Sequence, residues 1–258
     1  MPKEPRLIIT APPSSASEAS ALGFPIGHIA YRIGNGGHLL RSSIPINLRG
    51  GLMVIDHQGY DGRGDMNRFC QQVLRECSVR NFDGAILDFE PPQHPALSQA
   101  VNMLASMFAK RGWPLYVTET YASASGQTRI IIPSALSGGS LSVRLAEAVD
   151  RYGADRVALG IQRVAEDFTL PAPSGCGTPL TREELAQRMK ARNAPVFFSD
   201  ELCAYYFTYM SRHSGAHFVL FDNAASIRKK IMIAKSINLP ACILTWPEIQ
   251  DLIGTLFP

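Results

Sequence analysis

The sequence predicts a single-domain (β/α)8 barrel spanning residues 1–258, and three observations carry that expectation. Short apolar runs rich in Ile, Val and Leu alternate with longer segments of helical periodicity. The strand-like run comes first in each unit, as parallel strands with crossover helices require. Eight such runs occur, at 7–11, 28–33, 51–56, 84–90, 115–120, 128–133, 156–162 and 241–246, and eight is the barrel number.

Amphipathic segments fall between these runs. Residues 65–79 place Met66, Phe69, Val73, Leu74 and Cys77 on one face, and Asp65 is suited to accept a backbone N–H as N-cap. Residues 98–110, 142–152, 181–192 and 225–237 read the same way, with Thr181 and Glu184 spaced as a capping box. The glycines at 34, 36 and 37 read as a βα loop, because they lack the spacing and following helix of a phosphate-binding turn. The interval between the seventh and eighth strands exceeds what a βα unit needs, so an excursion is expected there. It opens with a Pro-, Gly- and Ser-rich stretch at 170–179 and contains short strands at 196–199 and 218–221.

Composition narrows the function classes. A net charge of +3, with Lys and Arg spread along the whole length, leaves no footprint for nucleic acid. No run approaches the roughly 18 apolar residues of a membrane span, and residues 1–6 do not read as an export signal. The five cysteines lack CxxC spacing and the six histidines form no HxH or HExxH pair. Free core thiols are therefore expected, with no metal and no cofactor.

The fourth strand carries the chemistry. In Asn81-Phe82-Asp83-Gly84-Ala85-Ile86-Leu87-Asp88-Phe89-Glu90-Pro91, strand alternation puts Ile86, Asp88 and Glu90 on one face and Ala85, Leu87 and Phe89 on the other. The apolar set suits packing under helices, which aims Asp88 and Glu90 at the C-terminal mouth of the barrel, where this fold keeps its reactive groups. Like charges about 7 Å apart disfavour double ionisation, so one of the two acids should hold its proton to higher pH. The alternative from spacing alone is a pair of solvated strand-end acids or partners of barrel arginines.

That stretch resembles the signature of the family 18 glycoside hydrolases, D-G-x-D-x-D-x-E, through Asp83, Gly84, Asp88 and Glu90. The resemblance implies that Glu90 protonates the glycosidic oxygen while Asp88 orients the substrate's own N-acetyl group for attack on the anomeric carbon. Ile86 stands where the family places a further acid. Residues 156–162 followed by 167–171 are similar to the family's seventh-strand segment, making Gln162 a candidate substrate contact, and residues 221–235 resemble the lead into its last helix. Ile243-Leu244-Thr245-Trp246-Pro247-Glu248 would be the eighth strand, whose tryptophan floors the sugar subsite in the family; barrel-core filling is the other reading of Trp246.

On the sixth strand the family's tyrosine is replaced by Ser134. Tyr121 on the fifth strand is the candidate substitute, with Glu119 on the same face of a regular strand. Asp56 and Tyr31, at the ends of the third and second strands, are lesser candidates, a structural hydrogen bond being the favoured role for both. No large α+β insertion of the kind found in many chitinases is expected before the eighth strand, which points to the compact bacterial subgroup with spore-associated peptidoglycan hydrolases. The function expected is retaining, substrate-assisted hydrolysis of β-linked N-acetylglucosamine polysaccharide, peptidoglycan rather than chitin. The competing readings are an inactive chitinase-like carbohydrate-binding protein and a structural spore or envelope component. By the same resemblance the protein would be spore- or envelope-associated or extracellular; the sequence sets no oligomeric state.

Overall fold

The computed structural model describes residues 4–136, 138–172 and 175–257. Its first strands are β1 (Arg6–Ala11), β2 (Ile26–Gly34), β3 (His38–Arg41), β4 (Leu52–Asp56), β5 (Gly84–Asp88), β6 (Leu115–Thr118) and β7 (Arg129–Pro133). There follow β8 (Val157–Ile161), β9 (Ala165–Thr169), β10 (Thr178–Pro179), β11 (Phe197–Ser199), β12 (Ala204–Ser211), β13 (Gly215–Phe221) and β14 (Ala241–Thr245). The helices are α1 (Ala16–Ser20), α2 (Met66–Arg80), α3 (Pro95–Ala109), α4 (Leu141–Tyr152), α5 (Arg182–Arg192), α6 (Ala224–Ser236), α7 (Trp246–Ile249) and α8 (Ile253–Leu256).

Strands β1, β2, β4, β5, β6, β7, β8 and β14 pair in parallel, and β1 meets both β2 and β14, which closes the ring. The expected (β/α)8 barrel is present. Alternation along each strand divides the apolar residues between two cores. Ile8, Val54, Ile86, Tyr116 and Ile243 fill the barrel interior, while Ile9, Ile55, Leu87 and Leu244 face outward against Phe69 and Val73 of α2 and Leu97 and Leu104 of α3. Local signals start the helices as the sequence suggests: Asp65 accepts from Asn67 N–H at 2.8 Å, and Thr181 with Glu184 forms the capping box of α5. α3 begins earlier than its periodicity indicates, because His94 caps it and Pro95 occupies its first turn. Cys70, Cys77, Cys203 and Cys242 are buried thiols, and burial pushes Cys70, Cys77 and Cys242 up to about 12. No helix among the described residues is long and apolar enough to cross a membrane.

Two expectations are corrected. The glycine-rich turn after β2 is not a βα loop: it joins β2 to the antiparallel strand β3, with Gly34 opposite His38. The excursion is also larger than expected. It is an α+β insertion, a five-stranded antiparallel sheet in the order β10-β9-β13-β12-β11 with α5 on one face. The segments near 196–199 and 218–221 are strands but do not pair with each other, since β12 lies between them.

The two ends of the insertion are clamped together. Asp222 N–H donates to Val164 O at 2.8 Å, and Val164 N–H donates to Asp222 Oδ2 at 3.0 Å. The same carboxylate accepts from Ser226 Oγ at 2.7 Å and from Lys230 Nζ at 2.6 Å, all in the interior.

Candidate active site

The C-terminal ends of β5 to β8 surround a cleft of about 390 Å³, whose walls include Asp88, Glu90, Glu119, Ala135 and Gln162. β5 delivers the two acids as its alternation requires. Its first residue, Gly84, must lack a side chain because a Cβ there would lie 2.7 Å from the Pro114 carbonyl oxygen. Ile86 then enters the barrel interior and Leu87 and Phe89 pack outward, leaving Asp88 and Glu90 at the mouth. Thr118 Oγ1 donates to Phe89 O at 2.6 Å, which holds the chain between the two acids beyond the end of the strand.

Asp88 opens to solvent at the mouth but is packed by protein on its inner sides. That partial burial raises its pKa above the ordinary aspartate value, and the charges of Glu90 and then Asp56 push it further in the same direction, with His57 opposing. Asp56 stands directly opposite Asp88 in the β4–β5 register. A neighbouring acid is therefore supplied from the next strand, while Ile86 occupies the position below. Asp56 Oδ1 also accepts from Gln58 N–H at 2.9 Å.

Hollows continue on both sides of the cleft. One of about 610 Å³ is lined by Asp56, Arg32, Arg41 and Ser42. Another of about 380 Å³ shares Ala135 with the central cleft and runs along Glu166, Phe168 and Leu220 of the insertion sheet. The mouth thus offers an elongated open surface, with acids at its centre, Arg32 and Arg41 toward one end and a largely apolar sheet face toward the other.

No sequence-family profile and no curated protein sequence matches the chain. Solved structures match over nearly its whole length. The Bacillus cereus spore cortex-lytic enzyme SleL superposes with a TM-score of 0.71 at 16% identity, covering 100% of this chain and 75% of that one. A chitinase from Chromobacterium violaceum gives 0.66 at 16% identity over 92% and 93% of the two chains. The family 18 chitinase of Cycas revoluta in complex with (GlcNAc)3 gives 0.64 at 15% identity over 97% of both. The fold is a family 18-like barrel.

In this family 18-like barrel, Asp88, Glu90, Glu119 and Gln162 meet in the cleft, and Asp56 lies in the adjoining hollow. Glu119 is paired with Arg144 of α4 and accepts from Tyr152 OH at 3.3 Å. The backbone N–H of Gln162 donates to Ser134 Oγ at 3.1 Å, so the buried Ser134 side chain links the exits of β7 and β8.

Three residues stand apart. Tyr121 does not extend a strand, because the chain turns into a 3-10 helix at Glu119–Ala124; its ring packs edge-on against Phe89 and its hydroxyl accepts from His94 N–H at 3.0 Å. Tyr31 borders the Arg32 hollow, but its hydroxyl donates to Glu76 of α2 at 2.9 Å, and burial and this bond push its pKa up. Trp246 follows the end of β14, opens α7 and is 7% exposed within the outer core. Its buried indole N–H has no acceptor among the described residues.

Sequence reading missed Arg32 and Arg144. A register shift between Ile29 and Tyr31 brings Arg32 opposite Asp56, and no residue pattern announces that bulge. Arg144 reads as an ordinary polar position on α4 until the helix packs beside Glu119.

Proposed function

We propose that the protein is a glycosidase acting on polysaccharide containing β-linked N-acetylglucosamine, with Glu90 as general acid and Asp88 as the orienting carboxylate. Glu90 gives its proton to the glycosidic oxygen while the carbonyl oxygen of the substrate's N-acetyl group bonds to the anomeric carbon and the glycosidic bond breaks. Asp88 holds the N-acetyl group in line for that attack. Water then adds to the same carbon as its bond to the N-acetyl oxygen breaks, passing a proton to Glu90, and the two inversions retain the anomeric configuration. No cofactor enters these steps.

The observation that carries the reading is that Asp88 and Glu90 share one open cleft at the mouth of the barrel, with the pKa of Asp88 raised first by partial burial and then by the charges of Glu90 and Asp56. The likeness to spore cortex-lytic enzymes as well as chitinases favours peptidoglycan as the polymer. Reducing-end release from peptidoglycan and from chitotetraose by the wild type, falling by at least about a hundredfold in Glu90→Gln, is the expected result. An equal rate in both proteins removes Glu90 from the mechanism.

A second reading, a carbohydrate-binding protein without turnover, is favoured by Ile86 in the barrel interior and by Tyr121 facing away from the cleft. It predicts calorimetric binding of chitotetraose with no new reducing ends.

A further inference from the structure

The insertion sheet carries a second set of reactive side chains, separate from the barrel mouth. At the tip of the β12–β13 hairpin, Ser214 Oγ lies 2.7 Å from His217 Nε2, and His217 Nδ1 lies 2.8 Å from Asp167 Oδ1 on β9. Serine, histidine and aspartate stand in a hydrogen-bonded row, in the order required of a nucleophile, its base and the carboxylate that orients the base. Burial is graded along it: Ser214 is exposed, while His217 and Asp167 are 8% and 5% exposed.

The surroundings fix the imidazole. An ionised carboxylate only accepts hydrogen bonds, so in its neutral form the His217 ring donates from Nδ1 and turns the lone pair of Nε2 toward the Ser214 hydroxyl. Tyr209 stacks on the His217 ring at 4.5 Å and 9°, and its hydroxyl donates to Asp167 Oδ2 at 2.7 Å. Arg188 of α5 holds the same oxygen. Contributions from β9, β12, β13 and α5 show that the tertiary fold of the insertion builds the row, beyond the short Ser214-to-His217 spacing within the hairpin. Asp167 and His217 lie on the α5 side of the sheet, whereas Glu166, Phe168 and Leu220 on its other face line the extension of the sugar cleft.

We propose that Ser214, His217 and Asp167 form a serine hydrolase site acting on short-chain carboxylic esters that can reach an exposed hydroxyl. Ser214 Oγ bonds to the acyl carbon as its proton passes to His217 Nε2. The ester C–O bond then breaks, and the departing alcohol takes that proton. Water adds to the acyl-serine, giving its proton to Nε2. The bond from the acyl carbon to Oγ breaks, Ser214 recovers the proton, and a carboxylic acid leaves.

The test uses a fluorophosphonate probe and p-nitrophenyl acetate on the whole protein, so it needs no glycan and its failure leaves the glycosidase reading standing. Expected results are phosphonylation mapped to Ser214 by peptide mass, absent in Ser214→Ala, and ester hydrolysis falling by about a hundredfold in that variant. His217→Gln should slow labelling of Ser214 by a similar factor; should its buried site fail to fold, the exposed Ser214→Ala comparison decides alone. Absence of label, label on another residue, or equal hydrolysis by the wild type and Ser214→Ala overturns the proposal.

Discussion

Replacing Lys230 with Met would strip the cation from a carboxylate that has no access to water. Both side chains of the Asp222–Lys230 pair are fully buried, with Nζ 2.6 Å from Oδ2. The remaining bonds, from Val164 N–H and Ser226 Oγ, do not neutralise the charge. Removing one member of a buried pair costs about 3–5 kcal/mol, and at roughly 2–4 °C per kcal/mol for a chain of this size the melting temperature of Lys230→Met should fall by about 6–20 °C. Urea unfolding measures the loss directly, and an unchanged m-value shows that the unfolded state is not responsible. The deficit should shrink as pH falls, because protonation relieves the stranded carboxylate. Asp222→Asn combined with Lys230→Met should cost less than Lys230→Met alone, since no charge is then left unpaired. A loss below about 1 kcal/mol would refute the argument that this pair closes the two ends of the insertion as a buried ion pair.

Other outcomes follow from the mouth. Asp88 has a raised pKa, so the folded state binds its proton more strongly than the unfolded chain does, and its contribution to stability declines as pH rises through the folded value. Asp88→Asn should therefore unfold at higher urea than the wild type at pH 7 while losing hydrolysis; an unchanged or lower midpoint contradicts the raised value. Asp56→Asn removes a like charge opposite Asp88 and should lower the pH at which Asp88 titrates, followed by carboxyl carbon NMR; no movement would show that the two acids do not interact. Trp246→Phe should leave chitotriose affinity unchanged, because the indole sits in the outer core; a tenfold loss measured by calorimetry would put the ring against the sugar.

The barrel was legible because its strands are short apolar runs whose alternation has a single buried solution. Leu87 and Phe89 could pack outward only if Asp88 and Glu90 faced the mouth, and they do. The insertion was less legible. In β12, Tyr205, Tyr206, Thr208 and Tyr209 mix aromatic and polar groups on both faces, and the burial of this strand depends on α5 on one side and on the residues leading to the cleft on the other. Tyr121 was misplaced for a local reason: a strand read through Thr120 keeps parity, whereas the turn that starts at Glu119 breaks it. The parity of Tyr31 was lost to a bulge upstream, and the same bulge brought Arg32 into register with Asp56. Charge partners such as Arg144 for Glu119 depend on helix docking, which residue spacing does not encode.

A crystal structure of Glu90→Gln with chitotetraose would show whether the two acids face the sugar, since an inactive acid would leave the glycan whole. The glycan should lie across the mouth with one N-acetyl group in hydrogen-bond reach of Asp88, about 3 Å, and a glycosidic oxygen beside Gln at position 90. A glycan bound elsewhere, or with its N-acetyl groups turned away from Asp88, would contradict the account.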